Sequence, residues 1–250
     1  MDLRQPRLPD GYDVACFDQI DSTNLEAGRR AAAGEGGPLW IWAAHQTAGR
    51  GRLGRSWVSE PGNLYTSLLL TLDQGDRAPD LSFIAALAVH SVAETCLPKR
   101  SGAELRLKWP NDLLLNGEKS AGILIEGAGG SRVVIGCGLN LGTVPREDLR
   151  RPATGLALHG AEIGPREAFE LLAQSMNRWL RIWRDDGFEP IRQAWLERAA
   201  GVGEMITASL DAERTMQGRF SGLDETGALL LETPDGEVTR ILAADIELAA

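Results

Sequence analysis

The stretch DLLLNGEKSAGILIE, residues 112–126, carries the strongest fold signal in the chain. Two apolar runs flank Asn116-Gly117, and both of these residues tolerate the positive φ that a two-residue hairpin turn requires. The stretch therefore predicts an antiparallel hairpin. Because hairpins alternate here with helical segments instead of repeated βαβ units, we expect an α+β fold built on a mixed sheet packed with helices.

Hydrophobic spacing on either side of this hairpin predicts the other elements. Strands are predicted at residues 14–20, 39–44, 64–72, 105–109 and 132–139. Helices are predicted at residues 82–96, 165–186 and 191–198, with an earlier Ala-rich helix that ends at Gly34. Thr23, followed by Glu26 three residues later, predicts a capping box at the start of that first helix.

The last part of the chain has a different pattern. From Glu204 onward, short β segments separated by turn signals predict a small SH3-like β-barrel. We place the boundary near Gly201, which gives one domain at residues 1–200 and a C-terminal domain at residues 201–250.

The composition is that of an ordinary globular protein. The 250 residues include 43% hydrophobic and 24% charged residues, and 26 basic against 35 acidic side chains give a net charge of −9. This acidic balance argues against a nucleic-acid partner. The N-terminus has no signal-peptide pattern, and no apolar run has the length of about 20 residues that a membrane span needs. Cys16, Cys96 and Cys137 lack disulfide or metal spacing, so we expect buried thiols in a reducing cytoplasm.

The stretch GRGRLGRSW, residues 49–57, is here called the Arg/Gly loop. It contains a G-x-G-x-x-G pattern, but the dinucleotide-binding interpretation fails because no amphipathic helix follows. Its glycines give a mobile backbone, and its arginines provide guanidinium forks for carboxylate or phosphate oxygens. Such a loop could close over an anionic ligand, and the alternative is a solvated basic loop.

Three further segments carry polar groups suited to ligand binding. KWPND at residues 108–112 places Asn111 and Asp112 at a strand end, where the alternative is an ordinary turn. Lys119 is either a surface residue or, if it points inward, a compact charge for a carboxylate or phosphate. GCGLN at residues 136–140 has two glycines, which imply a close approach to the backbone. No Walker A, HExxH or GxSxG motif is present, so we expect chemistry by charge neutralisation and positioning.

These motifs, in this order, resemble those of biotin protein ligases. The resemblance covers almost the whole chain, from residues 22–24 and Gln46 through the Arg/Gly loop to GRFSGLD at residues 218–224. It implies a catalytic domain at residues 1–200, similar to biotin–lipoate ligases and class II synthetases. It also implies that biotin and ATP give biotinyl-5′-AMP, and that biotin then passes to a lysine of a biotin carboxyl carrier protein domain.

The resemblance implies a role for each candidate residue. The implied biotin-binding residues are Ser22, Thr23, Asn24, Gln46, Arg50, Gly51, Arg52 and Lys119. The implied ATP- and adenylate-binding residues are Arg52, Arg55, Trp57, Asn111 and Asn140. Arg50, Arg52 and Lys119 are the implied catalytic residues. Mg²⁺ is the implied metal, with Asp112 as a candidate ligand.

Two alternative functions stay open at this point. One is a lipoate– or octanoate–protein ligase of the same fold, and the other is a module that binds biotin without transferring it. Some members of the family carry an N-terminal winged-helix DNA-binding domain, but Ser22 lies so near Met1 that we expect none here. The sequence does not distinguish a monomer from a homodimer.

We predict that the Arg/Gly loop is mobile in the free protein and is ordered by ligand. Fixing its backbone costs about 1–2 kcal/mol per residue, which ligand contacts must exceed. Tryptic cleavage after Arg50, Arg52 or Arg55 should therefore be rapid without ligand and slow with biotin plus ATP. Equal cleavage rates in the two conditions would exclude a ligand-ordered loop.

Overall fold

A mixed sheet of seven strands forms the centre of the structure, a computed structural model that describes residues 6–142, 144, 152–211 and 213–248. Its strands are β1 Asp13–Phe17, β2 Leu39–Ala43, β3 Leu64–Thr71, β4 Leu105–Lys108, β5 Asp112–Leu115, β6 Glu118–Gly127 and β7 Arg132–Leu139. They lie in the order β1-β2-β3-β7-β6-β5-β4, with β1 parallel to β2 and every other pair antiparallel. The helices are α1 Thr23–Ala32, α2 Asp80–Cys96, α3 Pro165–Asp186 and α4 Glu189–Leu196. The predicted α+β architecture on a mixed sheet is confirmed.

The hairpin predicted at Asn116-Gly117 is also confirmed. Asn116 has a φ of 51° and Gly117 a φ of 81°, which is the left-handed backbone of a type I′ turn. The strand predicted at residues 132–139 and the helix predicted at residues 165–186 have the expected bounds. The first strand is shorter than predicted, because the chain bends away from the sheet after Phe17 to lead into α1.

The capping box predicted for Thr23 and Glu26 is wrong. Ser22 is the N-cap of α1 and makes no side-chain capping bond. The backbone N–H of Thr23 donates to Gln46 Oε1 at 2.8 Å, while the Glu26 carboxylate accepts from Arg29 at 2.8 Å. A side chain distant in sequence therefore satisfies the helix N-terminus, which local spacing cannot reveal.

The helices cover the sheet on both faces. α1 packs on β2, β3 and β7, with Ala27, Ala31 and Ile41 in the small core between them. On the opposite face α2 and α3 pack together, and Phe169 of α3 stacks on Trp42 with ring centroids 5.0 Å apart. Because it is covered on both sides, β2 is buried at every position. Within the described ranges, no helix has both the length and the apolar character needed to cross a membrane.

Side-chain alternation leaves part of the α1 side of the sheet bare. On β7, Val133, Ile135 and Cys137 belong to the core beneath α2 and α3, so the intervening Gly136 and Gly138 face the other side. Gly122 of β6 lies directly opposite Gly138 in the antiparallel register. This arrangement exposes backbone where most sheets present side chains.

A second sheet of five strands follows α4. Its strands are β8 Met205–Ser209, β9 Thr215–Leu223, β10 Leu229–Glu232, β11 Val238–Ile241 and β12 Asp245–Leu248. All of its pairs are antiparallel, in the order β11-β10-β9-β8-β12, which agrees with the small SH3-like domain expected from the turn signals. Hydrogen bonds attach this second part of the chain to the first, including Trp109 Nε1 to Gly227 O at 3.2 Å and Arg192 Nη1 of α4 to Leu223 O at 2.9 Å.

We predict that Gly227→Ala loosens the attachment of the second sheet. Gly227 has a φ of +82°, and a Cβ there would lie 2.7 Å from Phe83 Cε2. Gly236 is a matched control, because its φ is +86° but an added Cβ meets nothing within 4 Å. The left-handed backbone costs alanine about 1–2 kcal/mol at both positions, and forced packing adds about 1–3 kcal/mol at Gly227 alone.

Urea unfolding followed by circular dichroism compares the two variants. The unfolding midpoint of Gly227→Ala should lie clearly below that of Gly236→Ala. Equal midpoints would show that the Phe83 contact does not restrict position 227.

Candidate functional site

A cavity of about 740 Å³ opens on the bare part of the main sheet, beneath the Arg/Gly loop. All of the site residues predicted from the sequence line this cavity. Their positions along the chain did not by themselves require that they meet in one place. They are Ser22, Thr23, Asn24, Gln46, Arg50, Gly51, Arg52, Arg55, Trp57, Asn111, Asp112, Lys119 and Asn140. The individual role of each residue remains a prediction.

The floor of the cavity is the glycine pair Gly122 and Gly138, on which the indole of Trp57 lies. A Cβ on Gly122 would lie 2.8 Å from Trp57 Cζ3, and a Cβ on Gly138 would lie 2.7 Å from Trp57 Cε2. Only glycine leaves room for the ring at these positions. The Trp57 indole N–H is buried and has no hydrogen-bond partner among the described residues, so a ligand acceptor placed there would satisfy it.

A similar close approach fixes Asn24 on α1. A Cβ on Gly136 would lie only 2.2 Å from Asn24 Oδ1. The same oxygen is 2.6 Å from the Ser67 hydroxyl, and Asn24 Nδ2 donates to Glu126 Oε2 at 2.9 Å. The close approach expected from the glycines of residues 136–140 is thus made by Asn24 at Gly136 and by Trp57 at Gly138.

Ser22, Thr23, Asn24 and Gln46 form one side of the cavity, here called the α1 wall. Gln46 Oε1 accepts from both the backbone N–H and the hydroxyl of Thr23, at 2.8 and 3.0 Å. All four residues of the wall are buried. The wall therefore presents polar groups of fixed orientation in a place that excludes most water, which suits recognition of a neutral polar ligand.

The three arginines of the Arg/Gly loop reach three different parts of the structure. Arg50 Nη2 lies 3.1 Å from Glu126 Oε1, Arg52 Nη1 donates to Asn111 Oδ1 at 3.0 Å, and Arg55 Nη2 pairs with Asp245. The loop arginines therefore have partners within the chain before any anionic ligand arrives. Exposed ion pairs contribute only about 0–1 kcal/mol each, so the predicted opening of the loop in the free protein still stands.

Arg52 is the most enclosed of these three arginines. Burial lowers the pKa of its guanidinium, and the nearby carboxylates of Asp245 and Asp112 oppose this shift. Because an arginine pKa begins so far above neutrality, the guanidinium stays charged. A fixed charge that has already lost part of its water binds an anion more strongly than a fully hydrated one.

Lys119 lines the cavity, and its side chain is 31% exposed. Its Nζ lies 2.6 Å from Asp112 Oδ1 and 5.6 Å from the centroid of the Trp57 ring. The carboxylate and the aromatic face hold the ammonium in one place. Lys119 is thus positioned for the charge role that the sequence left as one of two alternatives.

Two asparagines, Asn111 and Asn140, also line the cavity. Asn111 Nδ2 donates to Ile123 O at 2.6 Å while its Oδ1 accepts from Arg52. Asn140 is buried, and its Nδ2 donates to Thr154 O at 3.3 Å. Both amides are held in place by these bonds.

The sequence analysis missed three residues of this network, namely Ser67, Glu126 and Asp245. Ser67 interrupts the apolar run of β3, and that interruption is the signal that could have found it. Glu126 and Asp245 carry no local signal, because their partners lie far away along the chain. The second sheet also lines the cavity, through residues 209–211, 243–245 and 247, whereas the sequence analysis assigned no site residue to it.

Among the described residues, no group of three histidine, cysteine, aspartate or glutamate side chains is placed to hold a metal ion. Asp112 is nevertheless a cavity carboxylate, with its side chain 15% exposed. A metal here would need ligands from a bound molecule, since one carboxylate fills only part of a coordination shell.

Comparisons with known proteins agree with this geometry. The family model of the biotin/lipoate A/B protein ligase family matches residues 15–140, and that of the biotin protein ligase C terminal domain matches residues 201–249. A biotin–[acetyl-CoA-carboxylase] ligase of Paracoccus denitrificans is 42% identical over 229 residues, covering 87% of this chain and 93% of the relative.

Two solved structures extend the comparison to three dimensions. The biotin protein ligase from Aquifex aeolicus in complex with biotin and ATP has a TM-score of 0.82 and 25% identity, covering 95% of this chain and 99% of that chain. The biotin protein ligase from Leishmania major in complex with biotinyl-5-AMP has a TM-score of 0.64 and 26% identity, covering 94% and 100%. The chain belongs to the biotin/lipoate A/B protein ligase family.

We predict that Cys137, which lies in β7 behind the cavity floor, resists alkylation in the folded protein. Burial raises the pKa of its thiol to about 12, and a higher pKa leaves less of the reactive thiolate at any given pH. At pH 8, its reaction with iodoacetamide should be at least about a hundredfold slower than in the urea-unfolded chain, where thiols titrate near 8.5. Mass spectrometry of peptides measures both rates, and equal rates would contradict the buried position.

Proposed function

We propose that this chain is a biotin protein ligase that activates biotin with ATP and transfers it to a lysine of a biotin carboxyl carrier protein domain. The observation that carries the proposal is the meeting of the α1 wall with Arg50, Arg52, Arg55 and Lys119 around one cavity. A neutral polar wall beside a cluster of cations suits a ligand with a polar ring and a carboxylate. The relatives and the two ligand-bound ligases support this interpretation.

The first step requires charge neutralisation. A carboxylate oxygen of biotin attacks the α-phosphorus of ATP. The bond between the α-phosphorus and the oxygen that bridges to the β-phosphate breaks, and pyrophosphate leaves. Two like charges at about 4 Å repel by about 4 kcal/mol at an effective dielectric constant of 20. Arg52 and Lys119 would remove this repulsion, and Arg50 and Arg55 line the same cavity. Fixed positions supply the rest of the rate enhancement.

We assign the ring of biotin to the α1 wall. A ureido group has two N–H donors and one carbonyl acceptor, and the hydroxyl and amide groups of Ser22, Thr23, Asn24 and Gln46 can match them. The backbone of Arg50 and Gly51 borders the same space. This places the carboxylate tail of biotin toward Arg52 and Lys119.

We assign the adenylate to the side of the cavity formed by Trp57, Asn111 and Asn140. The indole offers an aromatic face and an N–H that has no partner in the described part of the chain, and the two amides can both donate to and accept from a purine. Arg55 is an exposed residue of the cavity lining, and its guanidinium can pair with phosphate oxygens. On ligand binding Arg55 would exchange Asp245 for phosphate, or hold both.

A magnesium ion fits this site only as a companion of the nucleotide. Mg²⁺ is commonly held by one or two carboxylates together with substrate phosphates and water. We assign Asp112, one of the carboxylates that line the cavity, as the residue that would provide the protein ligand. The ion would add positive charge at the phosphates. The residues of the chain supply the rest of the charge neutralisation and the positioning of the substrates.

In the second step the lysine amine of the carrier domain attacks the acyl carbon of biotinyl-5′-AMP. The bond between the acyl carbon and the phosphate oxygen breaks, AMP leaves with the electron pair, and the amine loses a proton. We place the reaction in the cytoplasm, because Cys16, Cys96 and Cys137 are all free thiols, as is typical of a reducing compartment.

The proposed function is tested by two measurements on the purified chain. With biotin and Mg-ATP alone, it should release pyrophosphate and retain an adenylate. With a carrier domain added, that domain should gain the mass of one biotin, while lipoate or octanoate in place of biotin should give no gain. Lipoate transfer would indicate the other branch of the family, and biotin binding without pyrophosphate release would indicate a binding module.

We predict that Lys119→Gln slows the first step strongly. Losing one fixed charge at a transition state reduces the rate by about 10²–10³-fold, and the fold should be unchanged by circular dichroism. Lys99→Gln is the matched control, since Lys99 is exposed and lies away from this cavity. A decrease of less than about twofold in pyrophosphate release for Lys119→Gln would show that the charge is not used.

A further inference from the structure

Glu126 joins the α1 wall to the Arg/Gly loop through its two carboxylate oxygens. Oε2 accepts from Asn24 Nδ2 at 2.9 Å, and Oε1 lies 3.1 Å from Arg50 Nη2. Asn24 belongs to α1, Arg50 to the loop, and Glu126 to the end of β6. One side chain on the rigid sheet therefore touches both the wall and the loop.

The Asn24 end of this connection is rigid. An ionised carboxylate only accepts hydrogen bonds, so the amide nitrogen of Asn24 must face Glu126. Its amide oxygen is then directed at Ser67, 2.6 Å away, in the space left by Gly136. Asn24 is buried, so these two hydrogen bonds keep its amide in one orientation within the α1 wall.

The Arg50 end is much weaker. The side chain of Arg50 is 44% exposed and that of Glu126 is 30% exposed, and ion pairs this accessible to water stabilise little. The pair can therefore form and break as the loop closes and opens. Glu126 thus has a rigid contact with Asn24 and a reversible contact with Arg50. Such a residue can link ligand binding at the α1 wall to closure of the Arg/Gly loop.

We propose that Glu126 is a positioning residue that couples occupancy of the α1 wall to closure of the Arg/Gly loop. A ligand that bonds to the Asn24 amide strengthens the hydrogen bond from Asn24 to Glu126 and so restricts the Glu126 carboxylate, which then holds Arg50 and with it the start of the loop. By reciprocity, a closed loop strengthens binding at the wall. This inference rests on the proposed function, because biotin is the ligand assigned to the wall.

The test compares Glu126→Gln with Glu118→Gln, which makes the same change at the exposed other end of the same strand. Glutamine can still accept from Asn24 but cannot form the ion pair with Arg50. In Glu126→Gln, the biotin concentration giving half-maximal pyrophosphate release should rise by at least about fivefold, the low end of typical coupling between sites. The rate at saturating biotin should change far less, and Glu118→Gln should match the wild type.

Protection of the loop from trypsin gives the second readout. Biotin should slow cleavage after Arg52 and Arg55 in the wild type and in Glu118→Gln, but much less in Glu126→Gln. Adding Arg50→Gln to Glu126→Gln should change the half-maximal biotin concentration less than Arg50→Gln does alone. Non-additivity of this kind indicates that Glu126 acts through Arg50.

The outcomes separate this inference from the proposed function. If the wild type releases no pyrophosphate and gains no protection from biotin, the proposed function is wrong. If the wild type does both, and Glu126→Gln behaves like Glu118→Gln, the coupling by Glu126 is wrong. A fall in the saturated rate with an unchanged half-maximal concentration would also overturn it.

Discussion

The indole of Trp57 lies on backbone that Gly122 and Gly138 leave bare, and the arrangement of the site depends on this contact. The two glycines face each other across β6 and β7, so the space exists only because the strands pair in this register. The Trp57 ring fills this space and fixes the position of the last residue of the Arg/Gly loop. The Lys119 ammonium lies over the same ring. A one-residue slip of β7 would turn core side chains into this space and remove the cavity.

Among the described residues, the cations around the cavity each have a partner in the chain, so the cavity does not hold an unbalanced cluster of positive charge. Lys119 faces Asp112, and each loop arginine finds a carboxylate or an amide in the chain itself. Such pairing keeps cations in a protein of net charge −9 without a permanent positive field. When a substrate anion binds, it replaces a carboxylate or amide of the chain as the partner of a cation. Binding therefore exchanges one partner for another and does not have to remove water from an unpaired cation.

Sequence patterns predicted those features that depend on neighbouring residues. The hairpin at Asn116-Gly117 follows from turn chemistry, and the bounds of α3 follow from Pro165 and the periodic apolar stripe. Contacts between distant segments escaped prediction. Gln46 replaces the expected capping box of α1, and Asp245 meets the Arg/Gly loop from the other sheet, because both pairings are products of tertiary folding and leave no local periodicity.

The wall that the second sheet contributes has a consequence for the order in which the site comes into being. Residues 243–245 and 247 line the cavity, yet they are synthesised after every other segment that surrounds it. A nascent chain that has emerged only as far as α4 already contains Lys119 and the three loop arginines but has no Asp245 to face Arg55. The site is therefore completed only after residue 247 has been synthesised, so a nascent chain that stops short of this point has an incomplete enclosure in which to hold a reactive intermediate.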